Sequence, residues 1–234
     1  MGTKASLLLL ALPLAACGGD GRGYTQVALE VAADAPSAPN QHGYIVTLTR
    51  AEASIGPVYF FEGEPLFARV RRQALGLLIG TAYAHPGHYQ EGAAVAELLD
   101  PRVVDLMAGD AAALGTADGV TGAYNSAELT FGPSADLDGV AIRVAGTAEK
   151  DGQTIAFSGS LTDTITIEGI TFGATVGTNT AKVRASIDLG AWLERADFGA
   201  LGADGVLTPG DQPHNALSRG VDNTSSIRFE LIEP

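Results

Sequence analysis

Cysteine is nearly missing from this chain. Its 234 residues hold one, Cys17, so no disulfide can staple the fold and stability must come from a core. Histidine is almost as scarce, at His42, His85, His88 and His214, and tryptophan occurs once, at Trp192. Neither Cys-x-x-Cys nor His-Glu-x-x-His is present, which removes the strongest zinc signatures. Gly-x-Ser-x-Gly is missing too, and its nearest look-alike, Phe157-Ser158-Gly159-Ser160, sits inside a strand pattern. No glycine-rich loop joins a strand to a helix, which argues against nucleotide binding of the βαβ kind. Positive charge is short: 14 Lys and Arg face 27 Asp and Glu, a net charge of −13. A surface this acidic repels phosphate backbones, so no nucleic-acid partner is expected. No apolar run reaches the ~20 residues needed to span a bilayer as a helix.

What is there is mostly alternation of period two, the mark of strands with one buried face. Val27, Leu29 and Val31 alternate, and Tyr44 to Thr49 is rich in β-branched and aromatic residues. Ser54 to Phe61 reads as a strand broken by Gly56-Pro57, which suits an edge or a bulge. Ala127 to Phe131 is a short strand. Val140, Ile142 and Val144 alternate towards Asp151-Gly152, with Ile155 and Phe157 beyond, which makes the clearest hairpin in the chain. Further strands are expected at 165–172, 183–187 and 227–231. Helix signals are few. Asp188 can cap Leu189 to Asp197, Asp211-Gln212-Pro213 can open a helix from His214 to Gly220, and Leu66 to Ile79 is a third candidate with a basic cluster at Arg69, Arg71 and Arg72. The expectation is an all-β antiparallel β-sandwich with one to three short helices, formed by a single domain over residues 25–234.

The first residues give an address. Lys4 precedes the apolar run Ala5 to Leu12, and Leu14-Ala15-Ala16-Cys17 follows. This resembles a bacterial lipoprotein signal, in which Leu and two small residues precede the Cys that is lipidated and becomes the mature N-terminus. The resemblance implies a signal peptide over 1–16, an acylated Cys17, and a flexible tether over 17–24 that contains Gly18 to Gly23. Losing residues 1–16 removes one lysine, so 13 basic residues would face 27 acidic ones in the mature chain. Attachment to the membrane would then come from lipid rather than from a basic patch. Gly18, not Asp, follows the Cys. In the sorting rule of many enterobacterial lipoproteins, that points to the outer membrane.

The densest polar constellation is Tyr83 to Glu91, where His85 and His88 flank Pro86-Gly87. Across a tight turn two neutral imidazoles can face the same way, a pairing that suits copper, zinc or nickel. Two donors make half a site, so His42 or His214 would complete it, with Glu91 as an oxygen donor. The plainer reading is a polar turn whose rings bond backbone. Trp192, within Ala191 to Phe198, reads as the apolar face of a short helix closing the core, and otherwise as an oxidised or stacking aromatic. Asp204-Gly205 and Gly210-Asp211 lack the alternating donors of a helix-loop-helix calcium site, and turn chemistry accounts for them. Acid pairs such as Asp136 and Asp138 do not by themselves make a hydrolytic dyad.

Taken together, an exported all-β chain with an early strand, sparse histidines and the segment Ile187 to Phe198 resembles the copper-binding exported β-sandwich proteins of methane-oxidising bacteria, of the methanobactin-associated periplasmic type. That resemblance implies copper held by two histidines and an oxidised tryptophan, and a haem-containing oxidase or peroxidase partner. It would cast His85, His88 and Trp192 in the copper role. The chain departs from the pattern in having no histidine beside Trp192. Binding rather than catalysis is therefore expected, with a structural or adhesive module for glycan or protein as the alternative.

Overall fold

The computed structural model describes residues 22–64 and 94–233. The signal, Cys17, most of the tether, the helix expected over 66–79 and the His85–His88 turn lie outside the described residues. Twelve strands form: β1 Tyr24–Asp34, β2 Ile45–Phe61, β3 Ala94–Leu98, β4 Arg102–Asp105, β5 Ala112–Val120, β6 Gly122–Phe131, β7 Ile142–Lys150, β8 Gln153–Leu161, β9 Ile165–Val176, β10 Ala181–Asp188, β11 Val206–Leu207 and β12 Ile227–Glu233. Helices are few and short among the described residues, at α1 Leu189–Leu193 and α2 Gln212–Val221, with three single 3₁₀ turns. The chain is all-β.

Strand β2 organises the rest. The two runs read separately in the sequence, Tyr44 to Thr49 and Ser54 to Phe61, are one strand of 17 residues with Gly56-Pro57 inside it. Proline has no N–H to give a ladder and Gly56 stands at φ +132°, so pairing is interrupted between Ile55 and Val58. The break is a bulge in a central strand rather than an edge. Along one side β2 pairs with β7 over Ile45 to Ala53 and then with β6 over Ile55 to Phe61. Along the other it pairs with β4 and then β3. Its first half thus belongs to a small sheet with β7, β8 and β11. Its second half belongs to a larger one ordered β9-β6-β2-β3-β5-β1-β10-β12.

The larger sheet curls until β9 and β12 lie side by side. Phe60, at the middle of the curl and fully buried, meets Tyr124 at 5.7 Å, Phe172 at 5.6 Å and Phe229 at 5.3 Å between ring centroids. Rings at such separations add about 0.5–1.5 kcal/mol per pair beyond the area they bury. Val27, Leu29 and Val31 line the same interior, as their alternation required. Most pairings are antiparallel. Two are not: β1 runs parallel to β10 from Val27↔Ala181 to Asp34↔Asp188, and β11 runs parallel to β8. The hairpin β7–β8 closes at Asp151 (φ 52°) and Gly152 (φ 75°), the positive pair that a two-residue hairpin turn demands.

Trp192 lies on α1, 1 % exposed, with its ring edge-on to Phe131 at 5.7 Å and 89°. Asp188 caps that helix by accepting from the Ala191 N–H at 3.0 Å. The helix ends at Leu193 rather than Asp197; there the Ala196 N–H bonds Leu193 O, and the Asn40 amide donates to Leu193 O and Ala196 O.

Close backbone approach fixes one glycine. At Gly146, opposite the bulge between Leu48 and Arg50, a Cβ would overlap the Thr47 carbonyl oxygen. Gly146→Val is therefore expected to lower stability by about 1–3 kcal/mol, read as a lower urea midpoint at unchanged slope.

Candidate functional site

The polar features converge at one end, around α2. The turn from Asn40 to Tyr44 begins with a buried asparagine, and its amide organises the region. The Asn40 Nδ2 donates to Leu193 O at 3.1 Å and Ala196 O at 2.8 Å, and its Oδ1 accepts from the His42 and Tyr44 N–H groups at 3.0 Å each. All four bonding positions of the amide are used. The Gln41 N–H adds a bond to Glu194 O at 2.9 Å. Tyr44 is anchored edge-on against Phe198 at 5.5 Å, with Lys150 over its ring at 5.2 Å. The turn is thus clamped to the exit of α1.

The start of α2 is tied to the same place. Gln212 accepts from the Asp197 N–H and donates to Arg195 O, both at 2.7 Å. Asp211 occupies the N-cap position without a side-chain cap bond, and Pro213 fills the first turn, as its fixed φ favours. Between the Asn40 turn, the α1 exit and α2 lies a hollow of about 460 Å³. Gln212, Asn215, Ala216 and Arg219 face it from α2, at the spacing that puts residues on one side of a helix. Gln41 and His42 face it from the turn and Arg195 from the α1 exit.

Each histidine expected as a donor now has a place or lies outside the description. His42 is half-buried at the rim of the hollow, with no side-chain hydrogen bond to a described residue. His214 sits in the first turn of α2 but off the face that borders the hollow, and its Nδ1 is buried without a partner. His42 thus borders the hollow and His214 does not. His85 and His88 lie outside the described residues. Among the described residues no group of three His, Cys, Asp or Glu could hold a metal ion. Trp192 presents no ring face to solvent, and its Nε1 has no partner. The Asp204 carboxylate accepts from the Val206 N–H at 3.2 Å, the turn chemistry expected of it.

The two shifted acids are elsewhere and hold strands together. Glu30, 8 % exposed on β1, lies 2.9 Å from Lys182 and bonds Arg184 Nε at 2.7 Å, both on the parallel partner β10. Burial alone raises its pKa, but the hydrogen bonds and charges of Lys182 and Arg184 outweigh that and hold it below the usual value. Tyr124, buried in the curl with its hydroxyl 2.9 Å from Val120 O, is pushed up to about 12 by desolvation.

Arg195, Arg219, Gln212 and Asn40 carry this site, and the sequence reading singled out none of them for it. The legible signal was Asn40 two residues before His42 and ahead of Gly43, an Asx-turn spacing.

No family model matches the chain, and no curated protein matches it. Among solved structures it is similar to MbnP from Methylosinus trichosporium, at 10 % identity over 90 % of this chain and 99 % of that one, with a TM-score of 0.46. The likeness has the same loose character as the resemblance read from the sequence, and it gives no residue a role. Among the described residues no helix is long and apolar enough to cross a membrane.

Two outcomes follow. Asn40→Ala removes four hydrogen bonds to backbone groups, three of them buried, and should cost about 2–4 kcal/mol in chemical denaturation, with Asn40→Asp no better because a carboxylate then faces two carbonyls. Stability should also fall at both pH extremes. Glu30 has a lowered folded pKa, so its contribution is present above the unfolded value and lost as pH drops through the folded one. Tyr124 is raised, so its contribution is complete below the unfolded value near 10 and lost as pH climbs towards about 12. Glu30→Gln should flatten the acid limb and Tyr124→Phe the alkaline limb of melting temperature against pH.

Proposed function

We propose that this chain is a lipid-anchored binding protein of the bacterial envelope, held at the outer membrane through Cys17, with a transition metal, copper first and zinc second, as its ligand. It binds rather than catalyses. The observation that carries the metal is the pair His85 and His88 across Pro86-Gly87, the only place in the sequence where two of its four histidines fall within one turn. A metal held by this pair needs a third donor. His42 or His214 would supply it. Imidazole donors and an acidic surroundings suit a divalent or monovalent cation of the later transition series. The outer-membrane address rests on Leu14-Ala15-Ala16-Cys17 with Gly18 after it.

Two measurements test this. Cys17→Ser should move the protein from the membrane pellet to the soluble fraction and abolish labelling by palmitate, and continued pelleting would remove the anchor. The same soluble variant, purified without chelator and exposed to copper or zinc, should carry metal stoichiometrically by mass spectrometry. His85→Ala with His88→Ala should abolish that uptake, while His42→Ala and His214→Ala, taken singly, identify the third donor. Undiminished metal in the double variant would sink the assignment.

A further inference from the structure

Six of the ten described Lys and Arg side chains are matched to carboxylates. Arg22 meets Glu62, Arg50 and Arg143 meet Glu52, Arg143 also meets Asp138, Lys182 and Arg184 meet Glu30, and Arg228 meets Asp34. Lys150 lies over Tyr44. The described arginines without an ion pair are Arg102, Arg195 and Arg219, and two of those three border one hollow. In a chain with 27 acidic residues, two unmatched guanidiniums sharing a concave surface run against the prevailing charge.

Asp211 stands between the lining residues Gly210 and Gln212 without a side-chain cap bond, but it does not itself line the hollow and makes no ion pair with either arginine. The remaining polar wall of the hollow is His42, Gln41, Gln212 and Asn215, and no Asp or Glu borders it. Glu194 borders a neighbouring hollow that the same two arginines share, yet it makes no ion pair with either. Asp197 Oδ1 accepts from the Gly199 N–H at 3.1 Å, and its carboxylate makes no ion pair with either arginine. The backbone framing the site is fixed by Asn40 and Gln212, so the side chains project from a rigid base. A guanidinium offers donors in a planar fork that matches the oxygens of a carboxylate or phosphate, and such charged bonds are about twice as strong as neutral ones.

We propose that this hollow binds a small free oxyanion, a phosphate or a polycarboxylate, between Arg195 and Arg219, with His42 and Asn215 as neighbouring hydrogen-bond partners. Size follows from charge: the net −13 repels a polyanion, while a small one feels chiefly the local arginines. The arginines are not donors to the metal proposed above, and His42 is the one residue the two sites could share, so the anion is tested on metal-free protein.

The test uses the full chain with Cys17→Ser, stripped of metal by chelator and dialysed. Inorganic phosphate and citrate are titrated separately by calorimetry at constant ionic strength, with chloride as the ionic control. Saturable binding of at least one is expected, phosphate alone marking a phosphate site and citrate alone a polycarboxylate site. Arg195→Gln combined with Arg219→Gln should weaken it about tenfold or more, the scale of losing one charged bond. Arg102→Gln should leave it unchanged. Shifts of the Asn215 and Gln41 side-chain amide signals in NMR spectra should saturate along the same curve. The proposal is overturned if neither anion gives saturable binding, if the double arginine variant keeps the affinity, or if Arg102→Gln loses as much.

Discussion

The structure depends on the continuity of β2 through Gly56-Pro57. A strand of 17 residues is far longer than the usual five or six, and no single flat sheet could pair it along its whole length without exposing one end. The interruption solves this. Where proline withdraws a donor and glycine takes a positive φ, the ladder resets and the strand passes from β7 to β6 on one side and from β4 to β3 on the other. Both sheets therefore share a covalent spine, and their relative placement is set by one backbone irregularity. Phe60, just past that irregularity, becomes the centre of the aromatic cluster around which the larger sheet curls.

Asn40 plays the corresponding part at the polar end. It replaces a stretch of regular hydrogen bonding with a side-chain amide and so lets α1 stop, the turn carrying His42 start, and α2 approach from the far side. A buried amide with every position bonded is stabilising only as a complete set, since each unmet group would cost desolvation. That interdependence gives the hollow beside it a stiff frame in a region otherwise made of loops and short helices.

Much of the fold was legible because strand periodicity survives in the plain sequence. Val27, Leu29 and Val31 alternate and are buried, the Asp151-Gly152 turn is where a hairpin turn should be, and Asp188 caps a helix. What escaped the reading was long-range. Nothing local in Ser54 to Phe61 reveals that Gly56-Pro57 lies in a central strand. Nothing in 27–34 reveals a parallel partner at 181–188, because parallel pairing has no turn to announce it. The site is less legible still. The histidines stood out by rarity, whereas Arg195 and Arg219 are ordinary in sequence and become notable only once the fold places both at one hollow with no ion pair.

The parallel union of β1 with β10 has a bearing on how the molecule comes into being. Val27 and Ala181 are neighbours in the finished sheet but lie far apart along the polymer, and β12 can add only after β10 is seated. Closing such a loop costs chain entropy before its contacts are made, and that cost grows with the separation of the paired strands. A chain emerging amino end first cannot close its own curl until its final quarter is available.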